Sequence, residues 1–288
     1  MKIWITGATG LAGRAVTKVL EESFEVIPTG FSRTGGNVLK VDLTSPGDVE
    51  KFLDEHQPEA VIHLAAERKP DVCDNKKEFT QLLNAEAVKL LAEQCHRRNI
   101  WLLYFSTDYV FDGQNPPYFP DSETNPLNFY GQTKLAGEKA VQEESPAAAV
   151  LRVPVLYGWV EDLDESAVTT IAKGLLKPEP VKADHWAIRF PTLVDDIGKV
   201  VAKMLEKKPS GIFQYSGKEP MTKYEITQIM GDALGKSCDH VSASEGAPGG
   251  APRPKDCQLD VTRLKDAGFY VEPTPIRDVI GDILKVHV

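Results

Sequence analysis

The stretch TGATGLAGR, Thr6 to Arg14, decides how the rest of the chain is read. It follows an apolar run, KIWIT (2–6), and opens a segment of helical pattern at 11–22. Gly7, Gly10 and Gly13 are spaced GxxGxxG. In a strand–turn–helix, the first such glycine allows a tight turn. The second lets backbone approach a pyrophosphate, and the third packs the helix against the strand. The amides at the helix start, Thr9 to Leu11 included, are then free to bind phosphate oxygens, with the helix dipole adding to the attraction.

Outward from this loop, apolar runs alternate with amphipathic segments. Strands are expected at 25–30, 37–43, 60–66, 100–107 and 148–158, and helices at 46–56, 76–98 and 128–144. The runs at 60–66 and 100–107 are apolar almost throughout, as in strands covered on both faces. This rhythm predicts an α/β fold, a Rossmann-type doubly wound parallel sheet, with a smaller C-terminal substrate lobe. Beyond 158, helices are expected at 165–175, 193–207 and 221–235, a strand at 211–216, a loop over 243–256 and a last short helix in IRDVIGDILKV. The expected division is 1–158 plus about 193–216 for the nucleotide-binding domain, and about 159–192 plus 217–288 for the smaller lobe.

A formal net charge of −9 argues against nucleic acid and anionic membrane as partners. The four cysteines form no CxxC and no metal-ligand spacing, so free thiols and no metal site are expected. The N-terminal apolar run is too short for a signal peptide, and a cytoplasmic protein is expected.

An NAD site usually carries an acidic residue about 20 residues beyond the glycine loop. Here the second strand ends PTGFSRTGG (28–36), which offers Ser32 and Arg33 instead. A guanidinium beside a hydroxyl suits a 2′-phosphate and points to NADP(H). Asp42 and Leu43 close the next strand, where adenine commonly lies. Small Ala65 and Ala66 after the following one leave room for a cofactor at the sheet edge.

NFYGQTKLAGEKA (128–140) places Tyr130 and Lys134 on one helix face. An ammonium there would lower the phenol pKa and let it give a proton to a carbonyl as hydride arrives. YFSTDYVFDG (104–113) brings Ser106 and Thr107 to a strand's carboxyl end, where a hydroxyl can hold that carbonyl. His63 sits within an apolar strand and reads as a packed histidine, as does Trp186 as a packing residue.

With GATGLAGR, HLAAERKPD, STDYVFDG, PLNFYGQTKLAGEKA, LRVPVLYG, RFPTLVDDI and RPKDCQLD in place, the chain resembles the extended short-chain dehydrogenase/reductases over essentially its whole length. The resemblance is to the branch that contains dTDP-4-dehydrorhamnose reductase. ERKPDV, ESAVT, DHWAIRFPT and MTKYE further resemble the NADP-binding regulatory β subunit of methionine adenosyltransferase. The resemblance implies catalytic roles for Thr107, Tyr130 and Lys134. It implies cofactor contacts at the glycine loop, Arg33, Asp42, Ala65 and the segment around Val153 and Val155. It also implies substrate contacts from the second lobe, for which Arg189 and Arg253 are candidates.

Two functions stay open. One is an NADPH-dependent carbonyl reductase acting on a small molecule such as a nucleotide sugar. The other is a regulatory subunit that holds NADP(H) and binds a methionine adenosyltransferase catalytic subunit. The sequence begins on the first strand and ends at ILKVHV, short of the regulatory subunit's tail, which places the reductase reading first.

Overall fold

The structure is a computed structural model that describes residues 1–247 and 249–288. The strands are β1 (Lys2–Thr6), β2 (Glu25–Gly30), β3 (Leu39–Lys40), β4 (Ala60–His63), β5 (Trp101–Thr107), β6 (Ala149–Val153), β7 (Leu156–Tyr157), β8 (Val181–Asp184), β9 (Thr192–Leu193), β10 (Gly211–Gln214) and β11 (Val241–Ser244). The helices are α1 (Leu11–Leu20), α2 (Pro46–His56), α3 (Pro70–Asn75), α4 (Lys77–Gln81), α5 (Ala87–Arg97), α6 (Phe129–Glu144), α7 (Ile171–Leu175), α8 (Val194–Lys207), α9 (Lys223–Leu234), α10 (Thr262–Asp266) and α11 (Ile276–Leu284).

Seven strands form one sheet in the order β10-β6-β5-β4-β1-β2-β3, and every pairing in it is parallel. The chain winds outward from β1 through β2 and β3, then returns to β4 and winds the other way. The β1/β4 boundary is therefore the switch point, the place at the carboxyl ends of the strands where open α/β sheets bind ligands.

Alternate residues of each central strand feed opposite cores. Ile3 and Ile5 of β1 join a cluster with Val16 and Leu20 of α1 and Ile197, Val200 and Met204 of α8. Trp4 points the other way, into a cluster with Phe52, Val88, Leu91 and Tyr104. Burial of each such side chain contributes roughly 1.5–3 kcal/mol, and it explains why these strands are apolar throughout. A third cluster, around Tyr157, Ala172, Met230, Ile280 and Ile283, lies under α7, α9 and α11. Two short strand pairs, β8 with β11 and β7 with β9, stand outside the large sheet.

Several expected elements are shorter than their sequence pattern. The strand expected at 60–66 stops at His63, because the amides of Leu64 and Ala65 turn to the Thr6 hydroxyl at 3.3 and 3.4 Å. The run 148–158 splits at Pro154, which has no N–H for a ladder; β6 stays in the main sheet while β7 pairs with β9. Edge strand β3 is two exposed residues, not the seven of 37–43. The helix expected over 165–175 is α7 alone, preceded by a single 3-10 turn at Leu163–Glu165. The loop expected over 243–256 begins inside β11, and its Pro248 lies outside the described residues. Among the described residues, no helix is long and apolar enough to cross a membrane.

The helix expected at 76–98 is broken by a π turn at Leu82–Glu86. Asn84 sits in that turn. Its side chain accepts from the Glu67 amide at 2.9 Å and donates to the Glu67 carbonyl at 2.9 Å, which pins the chain after β4.

Helix α6 is tied to β6 by a buried ion pair. Arg152 donates from Nε to Glu138 Oε1 at 2.9 Å and from Nη2 to Oε2 at 2.6 Å, and it also donates to the Pro120 carbonyl at 3.0 Å. The two side chains are 2% and 1% exposed. Arg152→Met would strand the Glu138 carboxylate in the core, and a loss of about 3–5 kcal/mol is expected in denaturant unfolding. The double variant Arg152→Met/Glu138→Leu should recover most of that loss.

Candidate functional site

Gly7 takes φ +68, and a Cβ there would lie 2.8 Å from the Ala65 Cα. A Cβ on Gly13 would lie 2.1 Å from the Gly7 carbonyl oxygen. Both glycines are thus demanded by packing of β1, β4 and α1. Gly10 differs: its Cβ would meet only the Gly7 carbonyl oxygen, at 3.4 Å, so no packing requires it. Gly10 is the N-cap of α1, which has no side-chain cap and no acidic residue in its first turn. The donors of Leu11 to Gly13 therefore stand at an open face with a positive helix end behind them. This arrangement fits a dinucleotide diphosphate. Thr9, on the same turn, offers its carbonyl to Arg14 at 2.8 Å.

Around this loop, Ala65 and Ala66 lie half-buried at the end of β4. Ser32 and Arg33 are exposed after β2. Asp42 is half-buried, with Oδ1 accepting from the Thr44 amide and hydroxyl at 2.9 and 2.6 Å. Leu43 and Val153 are core side chains, so only their backbone could meet a ligand. Val155 is half-buried, and its carbonyl accepts from the Thr192 amide at 3.0 Å, which joins β7 to β9. Arg33 is not a solitary loop cation: its Nη1 reaches Glu165 Oε1 at 2.7 Å and Glu161 Oε2 at 3.7 Å.

At the carboxyl end of β5, buried Ser106 and Thr107 face the first turns of α6. That helix starts cleanly because the Asn128 side chain accepts from the Gly131 amide at 2.9 Å. Its Gly131 sits hard against Tyr109, where a Cβ would be 2.3 Å from the carbonyl oxygen. This contact fixes the rotation of α6 and with it Tyr130 and Lys134. Tyr130 is half-buried against Tyr109, edge to face with centroids 6.0 Å apart. Lys134 is buried, and its Nζ lies 4.1 Å from the centroid of the Tyr104 ring.

The expectation that the ammonium lowers the phenol pKa is corrected by this geometry. Burial raises the Tyr130 phenol, and the Thr107 hydroxyl pulls it back only in part. Burial likewise brings the Lys134 amine down to about 7, against the pull of Glu138. Desolvation disfavours the charged form of both groups and is the largest cause at each. Next to Thr107, burial lifts the Asp108 carboxyl to about 6, against the pull of Arg189. His63 is packed as expected, with Nδ1 2.8 Å from the Thr6 hydroxyl, and burial lowers it to about 3. The hydroxyl of Ser106 and Nε2 of His63 are buried without a partner among the described residues.

Arg189 is buried. It donates to the Ile188 and Pro254 carbonyls at 2.8 and 3.1 Å, and its guanidinium lies 5.9 Å from the Tyr109 ring centroid. Arg253 pairs with Asp71 of α3 at 2.7 Å. Lys223 completes a cationic group here: burial lowers its ammonium, and Arg253 and Arg189 lower it further. Arg189 and Arg253 thus stand on the second-lobe side of Tyr109, beside the Thr107–Tyr130 edge. Lys223 was not legible as a neighbour of this site, since it comes from a distant turn of the chain with no spacing signal, whereas Asp108 directly follows Thr107 and could have been found there.

The sequence profile described as RmlD substrate binding domain matches residues 1–287. The chain belongs to that family. Methionine adenosyltransferase 2 subunit beta of Xenopus tropicalis is 45% identical over 288 residues, covering 97% of this chain and 86% of that protein. Among solved structures, a dTDP-4-dehydrorhamnose reductase from Clostridium acetobutylicum superposes with a TM-score of 0.87 at 29% identity, covering 100% of this chain and 99% of that one. A dTDP-4-dehydrorhamnose reductase from Bacillus anthracis in complex with NADP shares the fold, with a TM-score of 0.87 at 23% identity over 100% of this chain and 99% of that one. The family places the chain among the extended short-chain dehydrogenase/reductases, with the doubly wound sheet expected of them.

Because Lys134 has a folded pKa near 7, far below its ordinary 10.5, its sign in stability is set. Below pH 7 the folded protein carries the full cost of a buried ammonium, and that cost is relieved as pH rises from 7 toward 10.5. Lys134→Met should therefore be more stable than the wild type at pH 6, by roughly 2–4 kcal/mol. The gap should close by pH 10; thermal melts across this range check it.

Proposed function

We propose that the chain is an NADP(H)-binding carbonyl reductase. The observation that carries this reading is the Thr107 hydroxyl at the carboxyl end of β5 in hydrogen-bond reach of the Tyr130 phenol, with Lys134 one turn further along the same helix. In this reading, residues 1–158 with about 193–216 carry the cofactor, and about 159–192 with 217–288 carry the substrate. Gly7, Gly10 and Gly13 shape the diphosphate cradle, and Thr9 and Leu11 border it. Arg33, with Ser32 beside it, receives the 2′-phosphate, while Asp42 and Leu43 border the adenine. Ala65, Ala66, Val153 and Val155 line the path to the nicotinamide.

Bound NADPH supplies the hydride. Thr107, with Ser106 next to it, holds the substrate carbonyl. Tyr130 gives that oxygen its proton, or takes it back in the reverse direction. Lys134 binds the nicotinamide ribose, and the hydroxyls it meets there would restore its ammonium form, which in turn eases loss of the phenolic proton. The cationic group of Arg189, Arg253 and Lys223 supports an anionic substrate, such as a nucleotide sugar.

A second reading is favoured by one observation, the 45% identity to methionine adenosyltransferase 2 subunit beta over 97% of this chain. In it, the same crevice holds NADP(H) and the protein partners a methionine adenosyltransferase catalytic subunit.

Two measurements separate these readings and test the cofactor. Tyr130→Phe should lower kcat for NADPH oxidation with keto-sugar nucleotides by about 10²–10⁴-fold while leaving NADPH binding intact. Co-elution with a methionine adenosyltransferase and no turnover in the wild type would favour the second reading. Arg33→Ala should weaken NADPH about tenfold or more and NADH little; equal loss would remove Arg33 from the 2′-phosphate.

A further inference from the structure

Glu165 lies 132 residues from Arg33 and 151 from Arg14, yet one carboxylate joins all three. Its Oε2 accepts from Arg14 Nη2 at 2.5 Å, and Oε1 accepts from Arg14 Nη1 at 3.2 Å and Arg33 Nη1 at 2.7 Å. The Glu161 amide donates to Oε2 at 3.0 Å. The backbone carbonyl of Glu165 accepts from Arg68 Nη2 at 2.5 Å. Arg14 stands on the first turn of α1, Arg33 follows β2 and Arg68 follows β4. The segment 159–166 is thus tied to the first turn of α1 and to the loops after β2 and β4.

The same segment is held from behind. The Ser166 hydroxyl donates to the Leu156 carbonyl at 2.7 Å, and Thr169 and Thr170 donate to the Leu163 carbonyl at 2.8 and 2.9 Å. Leu163 is buried in the third cluster. Arg14 has both Nη groups engaged, by the Thr9 and Trp159 carbonyls and by both oxygens of Glu165, so it acts as a strut. Arg33 is different: its side chain is 52% exposed, and only Nη1 is engaged among the described residues. Its Nε and Nη2 remain for another anion.

We propose that Glu165 is a positioning residue for cofactor choice: it fixes the Arg33 guanidinium at the crevice so that Nε and Nη2 serve the 2′-phosphate, and it ties segment 159–166 across the mouth to retain the nucleotide. This rests on the reading of Arg33 as the 2′-phosphate ligand. The opposite role, a carboxylate that competes with the phosphate for Arg33, would require Glu165 to give up its bonds from Arg14 and from the Glu161 amide. Burial raises the Glu165 carboxyl, but the bonds from Arg14 and Arg33 outweigh it and bring it to about 2, so the carboxylate stays ionised at any working pH.

The test is titration of the full chain carrying Glu165→Gln with NADPH and with NADH. NADPH should weaken about tenfold and NADH about twofold, because only the first uses an oriented Arg33. In an Arg33→Ala background, Glu165→Gln should change the ratio of the two affinities no further. Tighter NADPH binding in Glu165→Gln, or equal weakening of both cofactors, would overturn the proposal. Amide exchange on the wild type needs no variant: NADPH should slow exchange across 159–166, and faster exchange would also overturn it. An Arg33→Ala variant that loses NADPH and NADH equally would instead sink the underlying 2′-phosphate reading, while the exchange result still reports separately on retention.

Discussion

The approach of α1 to β1 and β4 sets the whole molecule. Gly13 stands so close to the Gly7 carbonyl, and Gly7 so close to Ala65, that any side chain would push the first helix off the sheet. This contact places the helix start over the switch point and aims its uncapped amides outward. The two cores on either side of the sheet then hold the arrangement, because each central strand sends alternate side chains into one and the other.

On the far side of the crevice, stability and chemistry pull apart. The α6 helix is locked by the Glu138–Arg152 pair and by Gly131 against Tyr109. The lock delivers a buried lysine and a phenol to the strand edge, with an unpartnered Ser106 hydroxyl and an Asp108 near pH 6 beside them. Buried groups with perturbed ionisation are costly to fold around, and they gather at functional sites. In this chain they gather at the carboxyl end of β5 and the first turns of α6.

Much of this was readable along the chain. The glycine spacing, the helical pattern at 46–56 and the tyrosine–lysine spacing in α6 are local signals, and the elements carrying them lie where their pattern puts them. What was not readable depended on distant partners. The strand expected to run to 66 ends at 63 because Thr6, on another strand, captures two amides. The break in the helix before α5 follows from Asn84 bonding Glu67, which helical periodicity does not reveal. Burial raises the Tyr130 phenol where an ammonium was expected to lower it, since spacing reports neighbours and not solvent. Glu165 was invisible for the same reason, its partners lying far away in sequence.

The central claim is that a nicotinamide dinucleotide lies across the switch point with its reactive ring beside Tyr130. A crystal structure of the protein soaked with NADP tests it most directly. The account predicts the diphosphate on the amides of Leu11 to Gly13, and the nicotinamide C4 and the Tyr130 hydroxyl both within roughly 3–3.5 Å of one common point, where a carbonyl could sit. Density for the nucleotide elsewhere on the protein, or a nicotinamide turned away from Tyr130 with the crevice at Gly10 left empty, would contradict it.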